Sequence, residues 1–331
     1  MITVMFILSA KDKKIAKDKT EDKLETSSFK SQIGDQSELN NKLIWHVVDN
    51  NLSEVKKLLD QGAQLNAKIR LNQDILRIIK KKIHSELGKI VIGESKIIKC
   101  TRSRPDILFT PLMLSAFAGH TEMVRFLIDN GADVNADVNG FFYASNLAAM
   151  EGHTDILNIL IDSGANIEEQ NSQIIMSAAS GGHIETLGRM FKIYPTLNTQ
   201  NNKNIALIGA VLYGHAELVK HLITNGADVN TIDPVDVSKT VGPSVLHTAA
   251  SKGYAEIVQI LLENGADVDA VDYFGRTPLF YAAKEEHIEI IHMLMKHYAK
   301  VNEHDGEGTS ILRISKNKEI IEILKKSGAK E

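Results

Sequence analysis

Apolar residues recur along this chain in fours at i, i+1, i+4 and i+5. Examples are Ile156, Leu157, Leu160 and Ile161; Leu218, Val219, Leu222 and Ile223; and Ile257, Val258, Leu261 and Leu262. That spacing draws one apolar stripe along a helix of 3.6 residues per turn and predicts a partly buried helix in each place. Before each stripe lies a shorter apolar segment with a pair of small residues: Ala148-Ala149, Ala178-Ala179, Ala249-Ala250 and Ala282-Ala283. The small pairs mark where a neighbouring backbone must come close. Two polar signals separate the segments. Gly-His stands between short and long segments at 119–120, 152–153, 182–183 and 214–215, weakening to Gly253-Tyr254 and Glu286-His287. Gly-Ala-Asp-Val-Asn follows the long segment at Gly131–Asn135 and again, letter for letter, at Gly226–Asn230.

These signals keep a period. From Gly131 to Gly164 is 33 residues, and from Gly265 to Tyr298 is 33 again. A fixed spacing of this size means a repeat architecture, because one helix pair cannot bury its stripe alone and copies must stack. Within a copy, Thr110-Pro111 and Thr277-Pro278 predict a helix start, since proline at the first helical position loses no hydrogen bond. The glycine of Gly-His predicts its end through a left-handed cap.

This pattern resembles the ankyrin repeat. The resemblance covers about Leu39 to Ala329 and gives eight copies, with Gly-Ala or its substitute at 62, 131, 164, 194, 226, 265, 298 and 328. It implies an all-α solenoid of helix-turn-helix repeats, each closing in an extended finger. Residues 1–38 are expected to be a flexible leader, and 39–66 a first, capping copy. Copies two to eight then occupy 108–330. Copy four departs from the pattern, with Tyr194-Pro195-Thr196-Leu197-Asn198 where the finger belongs, so its finger should bend differently. Six extra residues lengthen the finger within Thr231–Val241.

A larger insertion, about 67–107, follows the first copy. Asp74 to Leu87 reads as an amphipathic helix, and Lys89–Cys100 as two short strands around Gly93-Glu94-Ser95. Net charge over the whole chain is −4, yet this segment holds 11 Lys or Arg against four acids. Lys80, Lys81, Lys82, Lys96, Lys99, Arg102 and Arg104 make it a candidate site for an acidic partner, an anionic membrane surface or nucleic acid. Nucleic acid is disfavoured, because the segment has no aromatic residue for base stacking.

Catalytic chemistry finds no support. Five of the 12 histidines (His120, His153, His183, His215 and His287) fall at the Gly-His position, one per copy and too far apart to share a metal. There the imidazole is expected to bond loop backbone. Cys100 stands alone, which excludes an internal disulfide and suits a reducing compartment. No phosphate loop, nucleophile elbow or zinc spacing occurs, so no catalytic, cofactor or metal site is expected. No apolar run reaches the ~18 residues of a membrane span. Met1–Ala10 makes a poor secretory signal. The expected compartment is the cytoplasm or another reducing interior. The abundance of Ile, Lys and Asn hints at an AT-rich genome; were the source an intracellular bacterium, the resemblance implies delivery to the host cell.

What the resemblance implies instead is protein binding by finger tips and exposed sides of first helices. Carried to this chain, the finger residues are Phe141, Phe142, Tyr273, Phe274 and Arg276. The helix residues are Phe117, Met150, Leu212, Tyr213 and Lys284. Aromatics are only 5% of the chain, so four of them at two fingers stand out as interface anchors. Phe141 and Phe142 have a second reading, in which they fold inward to patch the missing Thr-Pro at Tyr143-Ala144. The expected molecule is a monomeric, non-catalytic scaffold whose partner is another protein.

Overall fold

A computed structural model describes residues 26–70, 108–137, 142–233 and 242–330, without the side chains of 26–35 and 70. Among these residues are 16 α-helices and one two-stranded sheet. Chain contacts divide the protein into two units, Thr20–Ala178 and Ala179–Glu331.

In the first unit, α1 (Thr26–Val48) pairs with α2 (Leu52–Asp60), α3 (Pro111–Ala118) with α4 (Thr121–Asp129), and α5 (Ala144–Glu151) with α6 (Thr154–Asp162). First helices α1, α3 and α5 pack side by side, and α4 packs on α6. Helix α7 (Asn171–Gly181) comes next in the chain. The second unit continues with α8 (Ile184–Ile193), a 3-10 turn at Pro195–Leu197, α9 (Gln200–Tyr213) and α10 (Ala216–Thr224). There follow α11 (Val245–Lys252) with α12 (Ala255–Glu263), α13 (Pro278–Lys284) with α14 (Ile288–Lys296), and the short α15 (Ile311–Ile314) with α16 (Lys318–Lys326).

Local chemistry explains the ends. Thr110 and Thr277 sit in extended backbone, and each hydroxyl accepts the N–H three residues on, at 3.2 and 3.3 Å, ahead of a proline at the first helical position. The Ala pairs at 148–149, 249–250 and 282–283 are buried, which lets the first helices approach closely. Of each apolar four, the first three are buried. The last is buried in Leu262 but only half-buried in Ile161 and Ile223, so the stripe is narrower than the sequence suggests.

A hydrogen-bond ladder joins consecutive copies. Asn135 donates from Nδ2 to the Gly164 carbonyl at 2.9 Å and accepts the Asn166 N–H at 2.9 Å. Asn66 does the same for Gly131 and Asp133, and Asn302 for Gly328 and Lys330. At two joints a helical amide pair takes this role instead. Gln36 and Asn40 of α1 bond the Gly62 carbonyl and the Gln64 N–H, while Gln200 and Asn204 of α9 bond Gly226 and Asp228. The irregular copy four is thus replaced at this joint by a turn and an early helix. Asn202, buried, ties the two together through the Leu197 carbonyl at 2.7 Å.

Two expectations change. The leader was expected to be flexible to residue 38, yet α1 begins at Thr26. Phe117 was expected on an exposed side and is 2% exposed, turned into the packing of the first helices. The helix and strands expected within 74–100 lie outside the described residues, as do Phe141 and the lysines and arginines from Lys80 to Arg104. The borders of that insertion are described. Strand β1 (Ile69–Arg70) pairs antiparallel with β2 (Leu108–Phe109), in the register Ile69 opposite Phe109 and Arg70 opposite Leu108. The lengthened finger is closed likewise, by an isolated bridge between Ile232 and Ser244 and an Asp233 N–H to Pro243 carbonyl bond of 2.9 Å.

Candidate functional site

Asp272 organises the finger that carries the aromatic pair. It is buried, and its Oδ1 accepts the N–H of Phe274 at 2.8 Å and of Arg276 at 3.0 Å. Backbone bonds from Asp272 N–H to the Arg276 carbonyl and from Gly275 N–H to the Asp272 carbonyl close the turn. Gly275 supplies the left-handed φ of +71° that this turn requires. The other carboxylate oxygen accepts the Tyr281 hydroxyl at 2.6 Å. Burial, reinforced by that carboxylate, pushes Tyr281 up to about 12, so its phenol stays a donor across the physiological range.

His247 supports the finger from below. Its Nδ1 accepts the Ser244 N–H at 3.1 Å, which leaves Nε2–H to donate to the Arg276 carbonyl at 2.9 Å. Burial lowers its pKa, in keeping with this neutral tautomer. The imidazole also meets Tyr281 edge-on, with ring centroids 5.9 Å apart.

The next finger repeats the design and clamps the first. Asp305 Oδ1 accepts the N–H groups of Glu307 at 3.1 Å and Thr309 at 2.9 Å. The Thr309 N–H, with further help from Arg276, holds the Asp305 carboxyl below its ordinary value. Arg276 reaches Asp305 Oδ2 at 3.4 Å, and the Gly306 N–H donates to the Phe274 carbonyl at 2.6 Å. The guanidinium carbon lies 4.6 Å from the Phe274 ring centre and 5.4 Å from that of Phe280. These are cation–π distances, and they seat Arg276 against Phe274 and Phe280.

What this framework holds outward is Tyr273, 38% exposed, and Phe274, 42% exposed, with ring centroids 3.8 Å apart. Exposed aromatic surface fixed on rigid backbone is the physical form of an interface anchor. Among the residues expected at a partner surface, Tyr273, Phe274 and Arg276 therefore come together on one finger. Leu212 and Tyr213 are half-buried at the end of α9, and Lys284 is exposed at the end of α13, beside Glu285 at 3.4 Å. Met150 is half-buried at the end of α5 in the first unit. Phe142 is half-buried with its ring 5.9 Å from Phe109, the inward arrangement of the two considered for it.

Asp272, Tyr281, His247 and Asp305 are absent from the sequence-level site, although a signal exists for the carboxylates. Asp272-x-x-Gly275-x-Thr277 and Asp305-x-x-Gly308-x-Ser310 share one spacing. Also exposed are Ile232 and Val271, on the fifth finger and at the foot of the sixth. Among the described residues no three His, Cys, Asp or Glu gather closely enough to hold a metal ion, and no helix is long and apolar enough to cross a membrane. The Gly-His imidazoles bond backbone instead. His120, His153, His215 and His287 reach the carbonyls of Val48, Phe117, Ser180 and Ser251 at 2.9–3.2 Å.

Comparison with known proteins agrees with the helix-pair architecture. A family model of ankyrin repeats matches three times, over residues 43–171, 145–233 and 232–305. A curated relative, "Ankyrin repeat and KH domain-containing protein mask-1" of Caenorhabditis elegans, is 29% identical over 145 residues. That match spans 44% of this chain but only 6% of the relative. Among solved structures, the human ASB11 ankyrin repeat domain superposes with a TM-score of 0.56 at 22% identity, covering 67% of this chain and all of that one.

Proposed function

Because the chain belongs to the ankyrin repeat family, whose repeats are generally protein–protein interaction modules, we propose that it is a non-catalytic scaffold that binds a partner protein through fingers and first helices. Tyr273, Phe274 and Arg276 form the centre of that surface. One observation carries the reading: two adjacent aromatic rings are held toward solvent by a finger whose backbone, carboxylate and guanidinium are all engaged in fixing it. A finger built this way loses little conformational freedom on binding. Leu212, Tyr213 and Lys284, at the ends of first helices in the same unit, extend the surface. We take it to act as a monomer in a reducing interior.

Affinity purification with the full chain, compared with Tyr273→Ala/Phe274→Ala, tests this. The partner recovered with wild type should be lost with the variant and, once purified, should bind it at least about thirty-fold more weakly by calorimetry, as expected of hot-spot aromatics. Equal binding overturns the placement. The variant should stay folded, because Asp272 holds the turn through backbone N–H groups and not through the rings.

A second reading rests on the insertion. The pairing of β1 with β2 fastens both of its ends to the first finger, which presents a segment of net charge +7 at one place on the first unit. In this reading Lys80, Lys81, Lys82, Lys96, Lys99, Arg102 and Arg104 engage an acidic partner and give the molecule a regulatory or effector-like activity. Deleting residues 71–107 should then abolish activity while helical content is kept. Activity that survives the deletion removes this reading and leaves the first intact.

A further inference from the structure

Tyr298 occupies a position that glycine fills in six other copies. Gly62, Gly131, Gly164, Gly226, Gly265 and Gly328 take φ between +86° and +96°, and Tyr298 takes +65°. The loop is undistorted by the exchange. Tyr298 N–H meets the Met295 carbonyl and Ala299 N–H the Leu294 carbonyl, both at 3.0 Å, as Gly131 and Ala132 do with Ile128 and Leu127. A side chain in the left-handed region is strained whatever the space around it. Tyr298 gains no packing in return, since it is 90% exposed. The residue is displayed, not used to stabilise.

Its surroundings are cationic. Lys296, His297 and Lys300 are exposed in the same loop, and Lys325, Lys326 and Lys330 are exposed around the next one. The two loops are neighbours. Asn302 bonds the Gly328 carbonyl and the Lys330 N–H, and Ser327 Oγ stands 3.9 Å from Met295 Sδ. Asp269 lies 3.8 Å from Lys300, whereas Lys296, Lys325, Lys326 and Lys330 form no ion pair with a described acid. Glu322, one turn before Lys326, is the acid nearest along α16. Lysines in a last helical turn suit the helix dipole. That accounts for Lys296, Lys325 and Lys326, but for neither Lys330 nor a strained tyrosine between them.

We propose that Tyr298 with Lys296, Lys325, Lys326 and Lys330 is a docking face for an anionic lipid bilayer. The ring stands clear of its loop, so the patch offers a knob and not a groove, and its complement is a broad surface. Tyrosine partitions to the headgroup layer, where its ring is covered and its hydroxyl stays wet. Lysines beside it are drawn to anionic headgroups and released by salt. This face is separate from the finger surface proposed above, and either can stand without the other.

The test is co-sedimentation of the full chain with phosphatidylcholine vesicles, with and without phosphatidylserine. Wild type should bind only the anionic vesicles and lose binding at high salt. Lys325→Gln/Lys326→Gln should bind about thirty-fold more weakly, as removal of two interfacial lysines predicts. Tyr298→Gly should bind several-fold more weakly while melting at a higher temperature, which separates loss of the ligand from loss of the fold. If Lys80→Gln/Lys81→Gln/Lys82→Gln loses vesicle binding while Lys325→Gln/Lys326→Gln keeps it, binding belongs to the charged insertion and the proposal is overturned. The proposal is overturned if wild type ignores anionic vesicles, if it binds neutral ones equally, or if the Lys325/Lys326 and Tyr298 variants sediment like wild type. It is also overturned if wild type captures soluble polyglutamate but not vesicles, which would assign the patch to an acidic protein.

Discussion

The imidazole of His153 lies directly against the α-carbon of Gly119, so that a Cβ there would stand 2.7 Å from Cε1. The same ring bonds the Phe117 carbonyl through Nε2 at 3.1 Å, which keeps it from swinging away. Gly119 also ends α3 at φ +77°. Gly119→Ala therefore combines a left-handed Cβ with a clash, and a loss of at least about 2 kcal/mol is expected in urea unfolding. A loss below ~0.5 kcal/mol would show that the ring yields freely.

Acid should weaken the second unit through His247. Its unfolded-state pKa is near 6.5, and burial holds the folded value lower. The unfolded chain thus binds the proton first. Stability is complete above about pH 6.5 and falls as the pH drops from there toward the folded value. Protonation at Nδ1 would also remove the acceptor that the Ser244 N–H uses. Melting temperatures between pH 7.5 and 5 should decline, and His247→Gln should flatten the decline. A wild-type profile that is flat or rises toward acid refutes this.

The amide pair on α9 should be worth as much as a finger asparagine. Gln200 and Asn204 supply two bonds to the next copy, matching those of Asn135. Gln200→Ala/Asn204→Ala and Asn135→Ala should each cost about 1–3 kcal/mol, from two modest hydrogen bonds apiece. Substantial loss at Asn135 with none at Gln200/Asn204 would mean that the α9 pair is incidental.

Truncating the stripe should cost more than any of these. Leu261 is fully buried on α12, so Leu261→Ala leaves a cavity and a loss of about 2–5 kcal/mol is expected. Ile223→Ala, at the half-buried margin, should cost clearly less. Equal losses would mean that the margin is buried in solution.

Tyr298→Gly should raise stability by about 1 kcal/mol, because it relieves the left-handed strain of an exposed ring. Thermal or urea unfolding measures it directly. A destabilised variant would show that the ring has packing partners after all.

Much of this molecule is legible in its sequence because the informative signals are local. Thr-Pro, Gly-His and Gly-Ala-Asp-Val-Asn act through backbone groups a few residues away, and the structure places caps and ladder bonds where those letters stand. Tyr273 and Phe274 were also legible, since an intact Gly275-x-Thr277-Pro278 fixes the finger beside them. Orientation was not. Phe117 and Met150 hold the same position on equivalent helices, two residues before the Gly of Gly-His, yet one is buried and the other half-buried, a difference set by the packing of adjoining helices. Gln200 and Asn204 looked like ordinary helix polar residues, because their role depends on a carbonyl 26 residues later. The early start of α1 was hidden by a mixed-charge composition. Once packing fixes the Leu43, Ile44 and Val47 end, added turns are inexpensive to propagate.

The ladder of β1 with β2 has a consequence for how this chain can diverge. Thirty-seven residues lie between Arg70 and Leu108, and the strand pair holds the two ends of that span together. The entropy of closing such a span grows with the logarithm of its length, so doubling it costs only about 0.6 kcal/mol. The first finger thus behaves as a socket: whatever is threaded there can be exchanged or lengthened almost invisibly to the helices, and new binding chemistry can be acquired at a point where folding scarcely notices it.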